Sequence, residues 1–265
     1  MELYFTNGEV AIITGAGSGI GAGTAVRFAQ FGVSGLCLSD LNGAGLQEVR
    51  KKCIEQSAGR LDESTVITVI GDITEEETCA AIVDQTKKSL DRIDILINNA
   101  GIVGVGLVEH SPISQFDCFM KTNLRSVVVL TQLCIPYLRR TKGSVVNVSS
   151  IAGVRSFPGR SNYCMSKAAL NMYTNCLAVE LAPDGVRVNA VNPGLIDTPM
   201  IDKHGLVGEQ RKKFLEDNKK CHPLGRVGTV DDVADSICFL ASSRASFMTG
   251  NLTFIDGGRN CLCPR

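Results

Sequence analysis

Hydrophobic positions in this chain fall into two patterns, short continuous apolar runs and longer stretches with one apolar face. The short runs are apolar almost throughout, which is typical of strands buried on both faces of a parallel sheet. They predict strands at 9–14, 35–40, 64–70, 93–98, 143–149, 186–192 and 251–256. The longer stretches predict helices at 19–31, 42–57, 75–90, 112–139, 161–182 and 230–241. Such alternation predicts an α/β fold, a doubly wound parallel sheet with helices on both faces.

The sequence contains no sign of a division into several units. There is no repeat, no low-complexity stretch and no linker, and Pro183-Asp184-Gly185 ends the helix predicted at 161–182. We therefore predict one domain over residues 1–265.

Charge and hydropathy exclude several classes of function. Among 265 residues, 27 Lys and Arg balance 27 Asp and Glu, so no net charge attracts the chain to nucleic acid or to an acidic membrane. No apolar run approaches the ~20 residues that a membrane span needs. The first residues also lack the basic and apolar segments of a signal peptide. We predict no nucleic-acid partner and no membrane span.

Eleven cysteines are dispersed through the predicted elements without the spacing of metal ligands. This distribution favours reduced, mostly buried thiols, and we predict a cytoplasmic location and no metal site. Cys261 and Cys263 form a C-x-C pair near the end of the sequence. Free thiols in a frayed tail explain this pair better than a metal site, which needs further ligands.

A glycine-rich stretch, "TGAGSGIG", joins the first predicted strand to the first predicted helix. Gly15, Gly19 and Gly21 give a G-x-x-x-G-x-G spacing there. Glycines at such a junction let the backbone turn tightly and bring its amides and the helix N-terminus against a pyrophosphate. The stretch therefore predicts a dinucleotide site.

The second predicted strand ends in an acidic residue, Asp40. A carboxylate there is placed to accept hydrogen bonds from the adenosine ribose, although a helix N-cap is an alternative role. At about 4 Å it repels a 2′-phosphate charge by ~4 kcal/mol, and neither Ser18 nor Leu41 supplies a cation to offset this. We predict that NAD(H) is preferred over NADP(H).

In "YCMSK", Tyr163 and Lys167 stand four residues apart and so lie on one face of the predicted helix. Such a pair arises by chance in many proteins, but here it belongs to an ordered series of motifs. The others are the glycine turn, "GDI" at 71–73, "NNAG" at 98–101, "TNL" at 122–124, "NVSS" at 147–150, "NPGLIDT" at 192–198 and "FIDGG" at 254–258. Over nearly the whole chain, this series resembles the short-chain dehydrogenase/reductase family in its compact single-domain branch.

The resemblance implies a Rossmann-type domain with a seven-stranded parallel sheet, and an enzyme that uses a nicotinamide cofactor. It implies catalytic roles for Asn123, Ser150, Tyr163 and Lys167. Ser150 is selected over Ser149 because the family's serine usually precedes its tyrosine by thirteen residues, and neighbouring strand side chains point oppositely. The cofactor-binding residues it implies are Gly15, Ser18, Gly19, Ile20, Gly21, Asp40, Asp72, Ile73, Asn99, Ala100, Gly101, Tyr163, Lys167, Pro193, Gly194, Ile196 and Thr198.

Hydride transfer at a carbonyl carbon requires proton transfer at its oxygen, and Tyr163 is the obvious acid/base. A free phenol has a pKa of ~10, and the positive charges of Lys167 and of the oxidised nicotinamide favour its phenolate, so we predict a lowered pKa. The resemblance implies that Lys167 also binds the nicotinamide ribose and that Ser150 orients the substrate oxygen. It further implies that the Asn123 backbone holds a water and that Thr198 binds the carboxamide.

The residues expected around the substrate are mostly apolar, which favours a lipophilic secondary alcohol or ketone of steroid, prenol or fatty-acid type. We predict a pocket lined by Ser150, Ile151, Val154, Phe157, Leu195 and Met200, with Val103, Leu206 and Phe214 as further wall residues. The segment of about 196–222 is predicted to be a mobile lid. His204 and His222, and likewise Arg155 and Arg160, are interpreted as surface residues, although the arginines could meet an anionic substrate.

Two other functions compete with this one. In motif the chain is similar both to NAD-dependent hydroxysteroid-type dehydrogenases and to 3-oxoacyl-(acyl carrier protein) reductases. The reductases generally use NADPH and carry basic docking residues, against which Asp40 and Asp184 argue. The other alternative is a catalytically silent nucleotide-binding scaffold, which the presence of all four catalytic residues disfavours.

The helix predicted at 161–182 is apolar around much of its circumference, through residues such as Met172, Cys176 and Val179. One apolar face is enough to cover a sheet, so the excess predicts burial against another subunit. The resemblance implies a homotetramer, or less often a dimer.

Overall fold

The apolar runs form the strands of one sheet in the computed structural model, which describes residues 2–202 and 205–262. Within those residues the sheet has seven strands, all parallel, in the order β3-β2-β1-β4-β5-β6-β7. The strands are β1 Val10–Thr14, β2 Gly35–Asp40, β3 Val66–Ile70, β4 Ile95–Asn98, β5 Ser144–Val148, β6 Arg187–Pro193 and β7 Leu252–Ile255.

Helices cover both faces of this sheet, as a parallel sheet requires. They are α1 Gly19–Gln30, α2 Gly43–Gln56, α3 Glu76–Leu90, α4 Ile113–Met120, α5 Ser126–Thr141, α6 Ser161–Leu181, α7 Gly208–Lys219 and α8 Val230–Ala241. One buried apolar cluster joins the sheet to α1, α2 and α8, and a second joins its opposite face to α3, α5 and α6. The predicted doubly wound, Rossmann-type α/β fold is confirmed.

The helix predicted at 112–139 is interrupted. A π-helical turn, Lys121–Arg125, separates α4 from α5, and Asn123 lies fully buried within it. The Asn123 side chain accepts a hydrogen bond from the Ile102 amide (2.8 Å) and donates to the Ile102 carbonyl (3.0 Å). A single π turn of this kind often marks a functional site in a helix.

The strand order places the candidate site. Strands β2 and β3 lie on one side of β1 and β4–β7 on the other, so the order reverses between β1 and β4. In open parallel sheets ligands bind outside the carboxyl ends of the strands at such a reversal. The glycine turn after β1 and the "NNAG" segment after β4 both begin at this point.

Candidate active site

The glycine turn is shaped by close backbone contacts that side chains would block. Gly15 and Gly19 have φ values of +64° and +55°, in the left-handed region that favours glycine. A Cβ on Gly15 would lie 2.8 Å from Asn99 Nδ2 and 2.9 Å from Ala100 Cα, and a Cβ on Gly21 would overlap the Gly15 carbonyl oxygen. The turn therefore packs against the end of β4 and leads directly into α1.

The N-terminus of α1 is open to an anion. Its N-cap residue, Ser18, makes no side-chain capping bond, and the first turn contains no acidic residue. The amides at this helix end therefore keep their partial positive charge for a phosphate. This uncapped end and the glycine backbone fit the pyrophosphate of a dinucleotide.

Two of the predicted cofactor residues after β4 brace the turn. Asn99 Nδ2 donates to the carbonyls of Thr14 (2.9 Å) and Gly15 (3.1 Å), and the amides of Asn99 and Ala100 both donate to Thr14 Oγ1 (3.1 Å each). These contacts join β4 to the glycine turn. Thr14, absent from the predicted set, is the centre of this brace.

Asp40 lies at the carboxyl end of β2, beside the glycine turn. Its carboxylate accepts hydrogen bonds from the amides of Gly17 and Asn42, at 2.9 Å each. The N-cap of α2 is Asn42, not Asp40, because the Asn42 side chain accepts the capping bond from Gly45. On the next strand end, Asp72 is exposed and accepts a hydrogen bond from Thr74, and Ile73 is half-buried.

The four predicted catalytic residues are brought together around α6. Asn123 Nδ2 donates to Ser166 Oγ (3.0 Å), whose own hydroxyl donates to the Tyr163 carbonyl (2.8 Å). The Asn123 carboxamide also faces Gly101, where an added Cβ would lie 3.1 Å from Asn123 Oδ1 and 3.7 Å from Lys167 Nζ. The π turn therefore fixes one wall of the site.

The two adjacent serines separate as strand alternation predicts. Ser149 Oγ donates to the Lys167 carbonyl (3.2 Å), away from the phenol. The Ser150 side chain acts to lower the pKa of the Tyr163 phenol, and its Oγ accepts a hydrogen bond from the Ala152 amide (3.1 Å). The buried Asn192, which the sequence did not single out, donates from Nδ2 to the Ser150 carbonyl (2.9 Å) and so positions this residue.

The pKa of Tyr163 differs from the expectation. Burial raises the pKa of its phenol, while the Ser150 side chain and the charge of Arg160 oppose the rise. The predicted lowering is therefore not seen in the chain itself, because desolvation of the phenolate outweighs both favourable effects.

Lys167 lies deeper in the same site. Its ammonium is buried, donates to the Val148 carbonyl (2.8 Å) and stands 5.9 Å from the centre of the Tyr163 ring. Burial lowers the pKa of Lys167 from 10.5 to about 8. This amine is therefore poised to change charge slightly above neutral pH.

The segment after β6 faces the glycine turn from across the site. A Cβ on Gly19 would lie 3.5 Å from Thr198, which is buried, as are Pro193 and Ile196. Gly194 is held by its amide, which donates to the Ile255 carbonyl (3.0 Å). Of these four predicted residues, Thr198 is the one that lies beside the glycine turn, and Ile196 belongs to the buried core cluster.

His222 packs against this segment. It is buried, and its Nδ1 lies 2.8 Å from the Asn218 carbonyl oxygen, which makes Nδ1 the protonated nitrogen. Its Nε2 then accepts a hydrogen bond from the Leu195 amide at 3.4 Å. The expectation of a surface histidine is wrong because this ring fills the space under Gly194 and Leu195.

Helix α7 occupies the segment predicted to be a lid. None of its residues is buried. Arg211 joins it to the preceding segment through Asp197 (2.5 Å) and Asp202 (2.7 Å). His204, also named above, lies outside the described residues, as does Cys263.

A cavity of about 510 Å³ opens beside the catalytic residues. It is lined by Val103, Gly104, Val105, Gln115, Arg160, Leu206 and Phe214. Four of these residues, Gly104, Val105, Gln115 and Arg160, also border a gap beside Tyr163 and Phe119 that is too small for a water molecule. The cavity has the size of a small-molecule site.

The cavity agrees only partly with the predicted pocket. Val103, Leu206 and Phe214 line it, whereas Ser150, Ile151, Val154, Phe157, Leu195 and Met200 do not. Ile151 is buried beneath the site, Val154 is exposed, and the Phe157 ring is covered by the Arg259 guanidinium at 5.4 Å. The sequence missed Gly104 and Val105, whose only signal was their position just after "NNAG", and Gln115, which lies on α4.

No described helix has both the length and the apolar character to cross a bilayer. Nor do the described side chains include three or more His, Cys, Asp or Glu grouped so that they could hold a metal ion.

Comparison with known proteins gives consistent matches over almost the full length. A family model described as "Enoyl-(Acyl carrier protein) reductase" matches residues 15–260. The chain is 37% identical over 252 residues to the 3-oxoacyl-[acyl-carrier-protein] reductase FabG of Thermotoga maritima, covering 95% of this chain and 97% of that protein. It is 38% identical over 263 residues to the 4-formylbenzenesulfonate dehydrogenase TsaC1/TsaC2 of Comamonas testosteroni, covering 96% and 98%.

Among solved structures, a short-chain dehydrogenase/reductase of unknown function from Caenorhabditis elegans, crystallised with cofactor, superimposes with a TM-score of 0.89. Its sequence is 32% identical, and the match covers 97% of this chain and 96% of that one.

Proposed function

Because this chain belongs to the short-chain dehydrogenase/reductase family of oxidoreductases, we propose that it transfers a hydride between NAD(H) and a lipophilic secondary alcohol or ketone. The observation that carries the proposal is the grouping of Ser150, Tyr163 and Lys167 at one site, where Tyr163 borders the same Gly104-Val105 segment that lines the cavity. The nicotinamide, when bound, supplies or accepts the hydride. The other steps belong to side chains of this protein.

Tyr163 is the proposed acid/base. In ketone reduction its phenol donates a proton to the substrate oxygen, and in alcohol oxidation its phenolate accepts one. Ser150, which also acts on the Tyr163 phenol, orients the same substrate oxygen. The edge-on Phe119 ring, 6.3 Å from the Tyr163 ring between centroids, helps to exclude water from the phenol.

Lys167 and Asn123 complete the proposed catalytic set. Lys167 keeps a positive charge close to the phenol below about pH 8, and it would bind the nicotinamide ribose. Asn123 holds the loop at Ile102 and, through Ser166, the first turn of α6. Its role would be to fix the distance between these two walls.

Asp40 supports the choice of NAD(H). The family uses nicotinamide cofactors, and the carboxylate at the end of β2 lies beside the glycine turn. No Lys or Arg is paired with it among the described residues. A 2′-phosphate at this position would therefore meet an uncompensated negative charge.

The apolar walls of the cavity support a lipophilic substrate. Val103, Val105, Leu206 and Phe214 contribute apolar surface, and α7 is placed to cover the cavity as part of a lid over 196–222. The match to residues 15–260 supports a single domain. The described cysteines are all free, which supports a reducing, cytoplasmic location.

An acyl-carrier reductase is the second candidate. The 37% identity to the Thermotoga maritima FabG favours it. Against it, Asp184 stands where a basic docking residue would be expected, and it pairs with Arg139 at 2.7 Å. Reduction of a 3-oxoacyl carrier-protein substrate faster than any free ketone, with NADPH, would establish this alternative.

The proposal is tested by following NADH absorbance with hydroxysteroids, retinols, prenols and the corresponding ketones. We expect turnover with at least one compound, and loss of that turnover by ~100-fold or more in Tyr163→Phe, since general acid/base catalysis contributes about 10²–10⁴. NADH affinity, measured by fluorescence, should change little. Tyr137→Phe, which removes a phenol hydroxyl on α5, is the matched control. NADH binding without turnover of any compound would instead indicate the silent scaffold.

A further inference from the structure

The only ionisable side chain that lines the cavity is Arg160, among the lining residues that the structure describes. Arg160 is half-buried and directly precedes α6, three residues before Tyr163. It borders both the cavity and the small gap beside Tyr163. A guanidinium on a cavity wall that has no anionic or hydrogen-bonding partner within the protein has its donors available to a bound ligand.

No such partner is found for Arg160 within residues 2–202 and 205–262. Its guanidinium makes no salt bridge and no side-chain hydrogen bond there. Arg155, five residues earlier, is different because it donates to the backbone carbonyls of Arg259, Asn260 and Leu262. Arg155 is thus used to hold the C-terminal segment, whereas the donors of Arg160 are available to a ligand.

Neighbouring groups make the surroundings of Arg160 more positive. Burial, followed by the charges of Arg155 and Arg160, lowers the pKa of Arg259, which shows that the three guanidinium groups share one region. Cys221 and Asp256 oppose this lowering, and Asp256 is occupied by hydrogen bonds from the amides of Gly258 and Asn260. The first turn of α6 has no acidic residue either.

We infer that Arg160 binds the anionic group of the substrate, so that the preferred substrates are lipophilic ketones or secondary alcohols that carry a carboxylate or sulfonate. This inference rests on the proposed function, whose substrate class it narrows. A planar guanidinium with several donors is suited to bidentate binding of such an anion. The apolar cavity wall would contact the rest of the molecule.

The position of Arg160 relative to Tyr163 guides the choice of test substrate. Arg160 directly precedes α6, three residues before Tyr163, and both residues border the same small gap beside the cavity. A rigid substrate whose acid group and carbonyl lie at opposite ends of a benzene ring would present one group to each residue.

The test compares two ketones that differ only in charge, 4-acetylbenzoate and its methyl ester. Their kcat/KM values are measured with NADH for the wild type, Arg160→Gln and Arg160→Lys. We expect the wild type to prefer the acid, and Arg160→Gln to reduce the acid-to-ester ratio by about 10- to 100-fold, as for loss of a charge-assisted hydrogen bond. Arg160→Lys should restore part of the ratio.

Arg160→Gln has a second effect, because the charge of Arg160 also acts on the Tyr163 phenol and its loss changes the rate with both ketones. The KM values of the two ketones are therefore compared beside kcat/KM. The matched control is Arg140→Gln on α5, an exposed arginine near the Tyr137 ring and remote from the cavity. Its ratio should equal that of the wild type. Thermal unfolding of each variant checks that it is folded.

The outcomes separate this inference from the proposed function. If both ketones are reduced but the ratio is the same in Arg160→Gln as in the wild type, or the wild type prefers the ester, the inference is wrong and the proposed function stands. If neither ketone is reduced, binding of 4-acetylbenzoate to the NAD-saturated protein is measured by calorimetry. Binding that Arg160→Gln weakens at least tenfold supports the inference; absent or unchanged binding overturns it.

Discussion

Replacing Asp40 by asparagine should shift cofactor preference toward NADPH. The substitution keeps the size of the side chain, and its Oδ1 can still accept one of the two hydrogen bonds that the amides of Gly17 and Asn42 now donate at 2.9 Å. What it removes is the negative charge beside the place where a 2′-phosphate would lie. The change therefore isolates electrostatics from shape.

The magnitude follows from Coulomb's law and from the exposure of the site. Two unit charges 4 Å apart repel by about 4 kcal/mol at an effective dielectric of ~20, and by about half of that at twice the distance. Asp40 is only half-buried, so salt and water reduce the effect further. We expect the ratio of the NADPH and NADH dissociation constants to fall by about 10- to 100-fold in Asp40→Asn, that is, by ~1.4–2.8 kcal/mol.

Fluorescence titration of the wild type and the variant with both reduced cofactors measures this ratio at one fixed salt concentration. NADH affinity should fall less than the ratio changes, because the ribose loses only part of its hydrogen bonding. Asp84→Asn, an exposed carboxylate on α3, serves as the control and should leave the ratio unchanged. A wild type that binds the two cofactors equally, or an Asp40→Asn ratio equal to that of the wild type, would refute the reasoning.

Three further predictions concern protonation and assembly. Burial lowers the pKa of Lys167 to about 8, so kcat/KM should decline above that pH. Lys167→Arg should move the decline to higher pH. A kcat/KM that stays flat up to pH 10 would contradict this prediction. Burial also lowers the pKa of His222 below its usual 6.5, so the unfolded chain gains a proton first and stability should fall as pH drops below 6.5. The melting temperature of His222→Gln should depend less on pH across that range than that of the wild type. Finally, Met172 and Val179 are exposed on α6, and Val179→Glu should dissociate the proposed tetramer or dimer. Light scattering measures this, and a wild type that is monomeric would rule out the assembly.

The sheet was the part most readily predicted from the sequence. Its strands lie within three residues of the predicted bounds, and β2 has the predicted bounds. The apolar runs of the central strands are buried on both faces, whereas the edge strands β3 and β7 are partly exposed. The glycine turn was predicted for a related reason. Positive φ values and close backbone approach leave few other residue types possible at Gly15 and Gly19.

The break between α4 and α5 could not be predicted in the same way. Residues 112–139 keep a helical period throughout, and what produces the π turn is a pair of hydrogen bonds between Asn123 and Ile102, 21 positions away in the sequence. The cavity has a similar origin. Its walls come together because the Gly106 amide donates to the Gly159 carbonyl at 2.8 Å, a contact between two loops without regular pattern.

Three residues proposed to act in the reaction lie along α6. Arg160 stands just before the helix, and Tyr163 and Lys167 are within it. These positions are separated by three and four residues, so the side chains follow one another along the helix from the open cavity to the buried Val148 carbonyl. The outermost cation has no partner among the described residues and faces the substrate; the innermost is buried and has a pKa of about 8. Since the phenol between them has its pKa raised by burial and lowered by Arg160, an anion bound at Arg160 would oppose that lowering. An acidic substrate should therefore favour the protonated phenol, which is the form needed for ketone reduction.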